Sequence, residues 1–241
     1  MLKSICMKNT MRKCLALYED TETLLATVSH DLKNPIISAI IAIKTLENSK
    51  ISPLQPNQKE VLDNVLASLN YMKSLITNIL DTYRINNNLM AINKTPVNFE
   101  TFIKNILDET QYIFKEKNQQ VRLISKLKNY KINIDPLEMQ RVIQNLLINS
   151  SIYSTKNSEI IVDISDTSDF IYFSIKNNGF GIENPQMVCE KSYSIDYQNK
   201  TVSTGLGLYI VKEIITKHSG KIFIESELNK STKISFMLPR K

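Results

Sequence analysis

A histidine that points away from the buried stripe of a helix, with a carboxylate beside it, has the makings of a nucleophile. The segment TVSHDLKNPIISA supplies both: Asp31 follows His30, and Asn34 lies one turn further on the same face. Val28 and Leu32, each two residues from His30, sit about 160° around the helix from it, so the imidazole projects outward. The carboxylate can orient the ring and hold its proton on one nitrogen, which leaves the other free to attack an electrophile. The same residues also describe an ordinary exposed histidine, and position alone leaves both readings open.

Backbone shape is the second clue. The chain of 241 residues has five glycines, roughly a third of the usual share. Four of them form two G-x-G pairs: Gly179 and Gly181 in IKNNGFGIEN, and Gly205 and Gly207 in STGLGLYIV. A chain so sparing with glycine is shaped at those points for a turn or for the close approach of a ligand. Asn145 and Asn149, in QNLLINSSIYS, are four apart and share a helix face. Taken by themselves they are two solvated amides.

The elements that must hold these residues are of two kinds. From about residue 15 to 87, apolar residues recur at three and four. Leu25, Val28, Leu32, Ile36, Ile40 and Ile43 form one such stripe; Leu62, Leu66, Leu69, Met72, Ile76, Ile79 and Tyr83 form another. NSKISPLQPNQ, with Pro53 and Pro56, reads as the loop between two helices. Pro35 falls inside the first helix, where it removes a hydrogen bond and is expected to bend it. A lone hairpin leaves apolar surface uncovered, and pairing of two chains into a four-helix bundle is the expected remedy.

Further along, helices are expected over 99–117 and 136–153, the second opened by Asp135 as N-cap and Pro136 in the first turn. EIIVDIS, DFIYFSI, GKIFIES and TKISFML alternate like half-buried strands, with weaker candidates at 120–126 and 131–134. The expected fold class is therefore mixed. An all-α hairpin precedes an α+β sandwich, with helices on one face of a mixed sheet.

Composition narrows the field. The 30 basic and 24 acidic residues are scattered, with no dense basic block, so nothing calls for nucleic acid as a partner. Cys6, Cys14 and Cys189 are odd in number and lack metal-ligand spacing, which reads as reduced thiols and a cytoplasmic protein. The most apolar run, IISAIIAI, is too short to span a bilayer. The N-terminus shows no signal peptide.

SHDLKNP resembles the H-box of the sensor histidine kinases: His, an acidic residue, Leu, a basic residue, Thr or Asn, then Pro. The resemblance implies that His30 is the phosphoacceptor and Asp31 the general base. It implies that Asn34 positions water when a phosphorylated partner is hydrolysed. QNLLINSSIYS resembles the family's N-box, which implies that Asn145 and Asn149 give oxygens to a Mg²⁺ bridging the nucleotide phosphates. One or two amide oxygens suffice for an ion that keeps several waters. Tyr153 and Ser154 match the end of that motif, whereas Ile152 stands where the family usually has Lys or Arg.

NNGFGI resembles the G1 box that receives adenine, with Gly179, Gly181 and Ile182 in place and Asn177 where the family usually has Asp. The Asn177 amide oxygen still accepts a hydrogen bond from the adenine amino group, but a neutral and weaker one. STGLGLYIVKEI resembles the G2 box, which implies that Thr204, Gly205, Leu206, Gly207 and Leu208 meet phosphate oxygens at a helix N-terminus. Residues 183–204 would then be a lid over ATP, with Cys189 and Ser192 in the places of two phenylalanines. His218, in KHSGKI, reads as a helix-end residue and not as a second phosphoacceptor.

As a whole the resemblance implies an N-terminal extension (1–19), a dimerisation and phosphoacceptor domain (20–88) and a catalytic ATP-binding domain of Bergerat type (95–241). The implied reaction moves the γ-phosphoryl of Mg-ATP to His30 and then to an aspartate of a response-regulator receiver. The implied partners are a second copy and that receiver; with only about twenty residues ahead of the hairpin, the signal input is expected from a separate sensor protein, the short N-terminus or a region missing from this chain. Asn177, Ile152 and the altered lid keep an alternative open: a catalytically weak or inactive relative serving as a dimeric phosphotransfer or scaffold protein. An ATPase or serine kinase of the same wider fold is a further alternative, and the intact SHDLKNP speaks against it.

Overall fold

The computed structural model describes residue 27 and residues 31–47, 55–115, 117–190 and 205–240. His30, Thr204, Ser192, Cys6, Cys14, Pro53 and the extension 1–19 lie outside the described residues. The chain divides into two compact units, Met1–Asn87 and Asn88–Lys241.

The first unit is helical. Helix α1, described over 31–47, continues through Pro35, and α2 spans Pro56–Asn86. Pro56 is thus the first residue of α2 and not part of the loop expected there. A proline has no N–H to leave unpaired in the first turn, and its fixed φ already suits the helix. Gln55, ahead of it, donates its backbone N–H to Gln58 Oε1 at 2.9 Å. Along the expected stripes Ile43 is buried, and Ile36, Ile40, Leu62, Leu66 and Leu69 are half-buried. Leu32, Met72 and Ile79 are exposed, as are Ile37, Ile41, Leu46, Val61 and Val65 off the stripes.

The second unit runs β1 (Thr95–Asn98), α3 (Phe99–Lys115), β2 (Gln120–Lys126), β3 (Lys131–Ile134), α4 (Pro136–Tyr153), β4 (Glu159–Asp166) and β5 (Phe170–Asn178). It continues with α5 (Gly207–Lys217), β6 (Lys221–Glu227) and β7 (Ser231–Pro239). Five strands form one sheet in the order β2-β4-β5-β7-β6. β2 and β4 are parallel, joined by a crossover through β3 and α4, and the other pairs are antiparallel. The mixed sheet is as expected. The small antiparallel sheet of β1 and β3 is not: TPVN is too short to show alternation and becomes a strand only because β3 lies beside it.

Every second residue of the central strands enters the core. Ile160, Val162 and Ile164 of β4, and Ile171, Phe173 and Ile175 of β5, are buried under the helices. Phe173 stacks on Phe236 of β7 with ring centroids 4.9 Å apart. Burying side chains of this size contributes on the order of 2 kcal/mol each. The helices answer with Ile103 and Ile106, Val142 and Leu146, and Ile210 and Ile214, all buried.

One polar clamp closes the edge of the unit away from the glycines. Arg240 pairs with Asp166, both nearly buried, and donates to the carbonyls of Thr167, Lys131 and Asn129. Asp166 also accepts from the backbone N–H groups of Lys128 and Asn129. Burial pushes the Asp166 carboxyl up, but those two N–H groups and the Arg240 charge outweigh it and hold the carboxyl below its ordinary 3.8. Arg240→Ala should cost about 1–3 kcal/mol in urea unfolding at pH 7, because the Asp166 carboxylate keeps its two N–H donors but loses its charged partner. The folded-state pKa is depressed, so the pair's contribution is complete well above pH 3.8 and is lost as pH falls through the lowered value. The gap between wild type and variant should therefore narrow towards pH 3; a gap that is constant or grows in acid would contradict it.

Candidate functional site

α4 carries the two asparagines, and its ends are held from outside. At its start, Asp135 is the N-cap, accepting from Leu137 N at 3.1 Å and Glu138 N at 3.2 Å. Its other oxygen accepts from Asn93 N at 2.8 Å. The last turn of α4 has no basic residue of its own. Lys117, from the turn after α3, supplies one: its Nζ donates to the carbonyls of Ser151 at 2.8 Å and Ile152 at 3.1 Å. An ammonium there satisfies carbonyls the helix cannot, and it opposes the negative end of the dipole. Buried Gln119 adds bonds to Ser151 and Thr155. Asn145, Asn149, Ile152 and Tyr153 are half-buried on the helix so fixed.

The turn after β5 is pressed against the end of α4. Ser154 and Gly179 form a bridge, Phe180 N donates to Tyr153 O at 3.3 Å, and a Cβ on Gly179 would stand 1.9 Å from that carbonyl oxygen. Only glycine fits there. Gly181 has φ +69°, and an added Cβ would meet Glu227 O at 2.3 Å. The β6–β7 turn holds the same segment from the other side: Gly179 N donates to Lys230 O, and Asn229 N to Phe180 O. Ile182 N donates to Ser226 Oγ at 2.8 Å.

Just before the turn stands Asn177, on the inner face of β5 in register with Ile160 and Thr232. It is 5 % exposed, and its Nδ2 has no hydrogen-bond partner among the described residues. A buried N–H left without an acceptor costs about 1–3 kcal/mol, a penalty that a ligand seated against the inner face could relieve.

α5 completes the group. Gly207 opens it, and the N-cap residue Leu206 has no side chain able to cap. A Cβ on Gly207 would meet only Asn145 Oδ1, at 3.6 Å. The first turn of α5 therefore lies against the asparagine face of α4. Gly205 (φ +64°), Leu206 and Leu208, both half-buried, adjoin it. The structure thus brings together Asn145, Gly205, Leu206, Gly207 and Leu208 on one side, and Tyr153, Asn177, Gly179, Gly181 and Ile182 at the other end of α4. Asp31 and Asn34, both exposed on α1, belong to the other unit.

Residues 20–88 match the His Kinase A (phospho-acceptor) domain, and residues 134–241 match the histidine kinase-, DNA gyrase B- and HSP90-like ATPase domain. The chain belongs to the sensor histidine kinases. It is 28 % identical over 223 residues to the sensor histidine kinase YvrG of Bacillus subtilis, covering 91 % of this chain and 38 % of that one. It is 26 % identical over 227 residues to the adaptive-response sensory kinase SasA of Synechococcus elongatus, covering 90 % and 59 %. The chain thus spans roughly two- to three-fifths of the length of these curated relatives. Among solved structures it shares its fold with full-length ShkA in complex with AMPPNP (TM-score 0.70, 20 % identity, 89 % of this chain and 45 % of that one). AdeS of Acinetobacter baumannii has the same fold (TM-score 0.63, 17 % identity, 88 % and 98 %).

Three further residues of this kinase core stand out. Cys189 holds the place of a family phenylalanine, and it is buried beside Val188; burial pushes its thiol up to about 11. Glu190 reaches Lys212 of α5 at 3.5 Å. Val188 and Cys189, just ahead of residues 191–204, are thus buried without an aromatic ring. His218 is 98 % buried as the C-cap of α5, which agrees with a helix-end role. Its Nε2 accepts from Asp135 N at 3.0 Å and its Nδ1 faces Ile214 O at 2.8 Å. The neutral ring with hydrogen on Nδ1 satisfies both, and burial lowers its pKa. Arg141, which sequence reasoning passed over, sits one turn before Asn145 and pairs with Glu138 at 2.9 Å. The spacing 141, 145, 149 was the available signal.

Proposed function

We propose that this chain is a kinase core that takes the γ-phosphoryl group of Mg-ATP onto His30 and passes it to an aspartate of a response-regulator receiver. The observation that carries the reading is the approach of Gly207 to Asn145 Oδ1, with the glycine-built turn and the buried Asn177 Nδ2, unpartnered among the described residues, at the other end of α4. Adenine would rest against Asn177, Gly179, Gly181 and Ile182, near Tyr153, with the phosphates at the amides of Thr204, Gly205, Leu206, Gly207 and Leu208. Asn149 and Asn145 would hold Mg²⁺ through amide oxygens, and the ion would neutralise charge on the transferring group. Arg141 lies on the same face of α4, paired with Glu138.

The unprotonated nitrogen of His30 attacks the γ-phosphorus, the bond to the β–γ bridging oxygen breaks, and ADP leaves with that electron pair. Asp31 orients the ring and accepts the proton of the other nitrogen. Asn34 would position water for hydrolysis of the phosphorylated receiver. No helix among the described residues is long and apolar enough to cross a membrane; a cytoplasmic site of action completes the proposal.

Incubation with γ-labelled Mg-ATP tests it. The label on protein should be acid-labile and base-stable, as a phosphoramidate is. Nucleotide binding without any label would instead favour the phosphotransfer or scaffold reading.

Leu32, Ile41, Val61, Met72 and Ile79 are exposed on the helical unit, apolar side chains that an interface could bury. A second copy would cover it as a four-helix bundle. Light scattering at micromolar concentration should give twice the chain mass of 27.7 kDa, and a monomeric mass would remove the bundle.

A further inference from the structure

We infer that the base pocket admits 6-oxopurine nucleotides alongside ATP, with Asn177 as the residue that permits them; the inference rests on the nucleotide-binding reading above. It starts from the buried Asn177 Nδ2, which no described residue accepts from. The neighbours in register leave the amide unclaimed: Ile160 is apolar, and the Thr232 hydroxyl is bonded to Ser226 Oγ at 2.9 Å. Nothing in that row fixes which end of the amide faces the ligand.

The two purine edges are mirror patterns. Adenine offers a donor at its 6-amino group and an acceptor at N1. Hypoxanthine offers an acceptor at its 6-oxo group and a donor at N1. An amide has one acceptor and two donor hydrogens, so it can pair with either edge by turning about its last torsion. The first orientation sets Oδ1 against the amino group and Nδ2 against N1. The second sets Nδ2 against the oxo group and Oδ1 against the N1–H. A carboxylate at this position accepts only. It suits the 6-amino group but sets oxygen against oxygen with a 6-oxopurine, a mismatch that gives discrimination by repulsion. Asn177 lacks that repulsive element.

The test measures dissociation constants of Mg-ADP and Mg-IDP for the full chain by calorimetry. IDP has no 2-amino group, so the pair differs only along the edge in question. The wild-type ratio of IDP to ADP constants should be below about thirty, and Asn177→Asp should raise that ratio at least roughly tenfold, since acceptor facing acceptor leaves both unpaired. A wild-type ratio above thirty, or a variant ratio that rises less, overturns the inference while the ATP-binding reading stands. The wild-type ratio decides alone if the variant does not fold. If the wild type binds neither nucleotide, the ATP-binding reading falls and this inference with it.

Discussion

His30→Gln should take up no acid-labile label from γ-labelled Mg-ATP, a loss limited only by the detection of the assay, and should bind ADP as tightly as wild type. The expectation follows from where the chemistry divides. Glutamine keeps the size and hydrogen-bonding capacity of the side chain but has no nitrogen lone pair free to attack phosphorus. The residues proposed to contact the nucleotide all lie in the second compact unit, Asn88–Lys241, and His30 lies in the first, so on that proposal the substitution spares the base and phosphate contacts. Labelling that persists in the variant would make another residue the acceptor and unseat SHDLKNP as the reactive motif. A label lost together with ADP affinity would mean that His30 serves binding, which the division into two units does not predict.

What could be read in the residues beforehand has a physical pattern. Elements whose signal is local were visible: the alternation of β4, β5, β6 and β7, the period of α3, and the Asp135–Pro136 start of α4, each with its observed counterpart. Interactions between distant segments were not. Lys117 capping the end of α4 spans 34 residues, His218 holding Asp135 N spans 83, and Arg240 reaching Asn129 spans 111. No periodicity encodes such pairs. β1 failed for the same reason, since its hydrogen bonds belong to β3. Glycine was the exception among site residues. Its scarcity in the chain marked Gly179 and Gly181 as positions of special geometry, and the carbonyls of Tyr153 and Glu227 show what that geometry is.

The two glycine pairs should therefore fail in different ways when a methyl group is added. At Gly179 the new carbon would lie 1.9 Å from Tyr153 O and 2.9 Å from Tyr153 C, both backbone atoms at the end of α4, and neither can swing aside as a side chain would. Gly179→Ala must separate β5 from α4, breaking the Ser154 bridge and the Phe180 N–Tyr153 O bond. A cost on the order of 3 kcal/mol follows, as for overpacking that displaces backbone. Gly207→Ala meets only Asn145 Oδ1 at 3.6 Å, ordinary contact, and in a helix alanine is favoured over glycine by up to about 1 kcal/mol. That variant should unfold in urea no earlier than wild type. Its methyl would nonetheless stand where the phosphates are proposed to lie, so ADP affinity should drop by about tenfold or more, the equivalent of roughly 1.4 kcal/mol. The measurement is a pair of urea titrations with a pair of ADP titrations on the full chain. If Gly207→Ala keeps both its stability and its ADP affinity, the first turn of α5 does not meet the phosphates, and the nucleotide must lie elsewhere along α4.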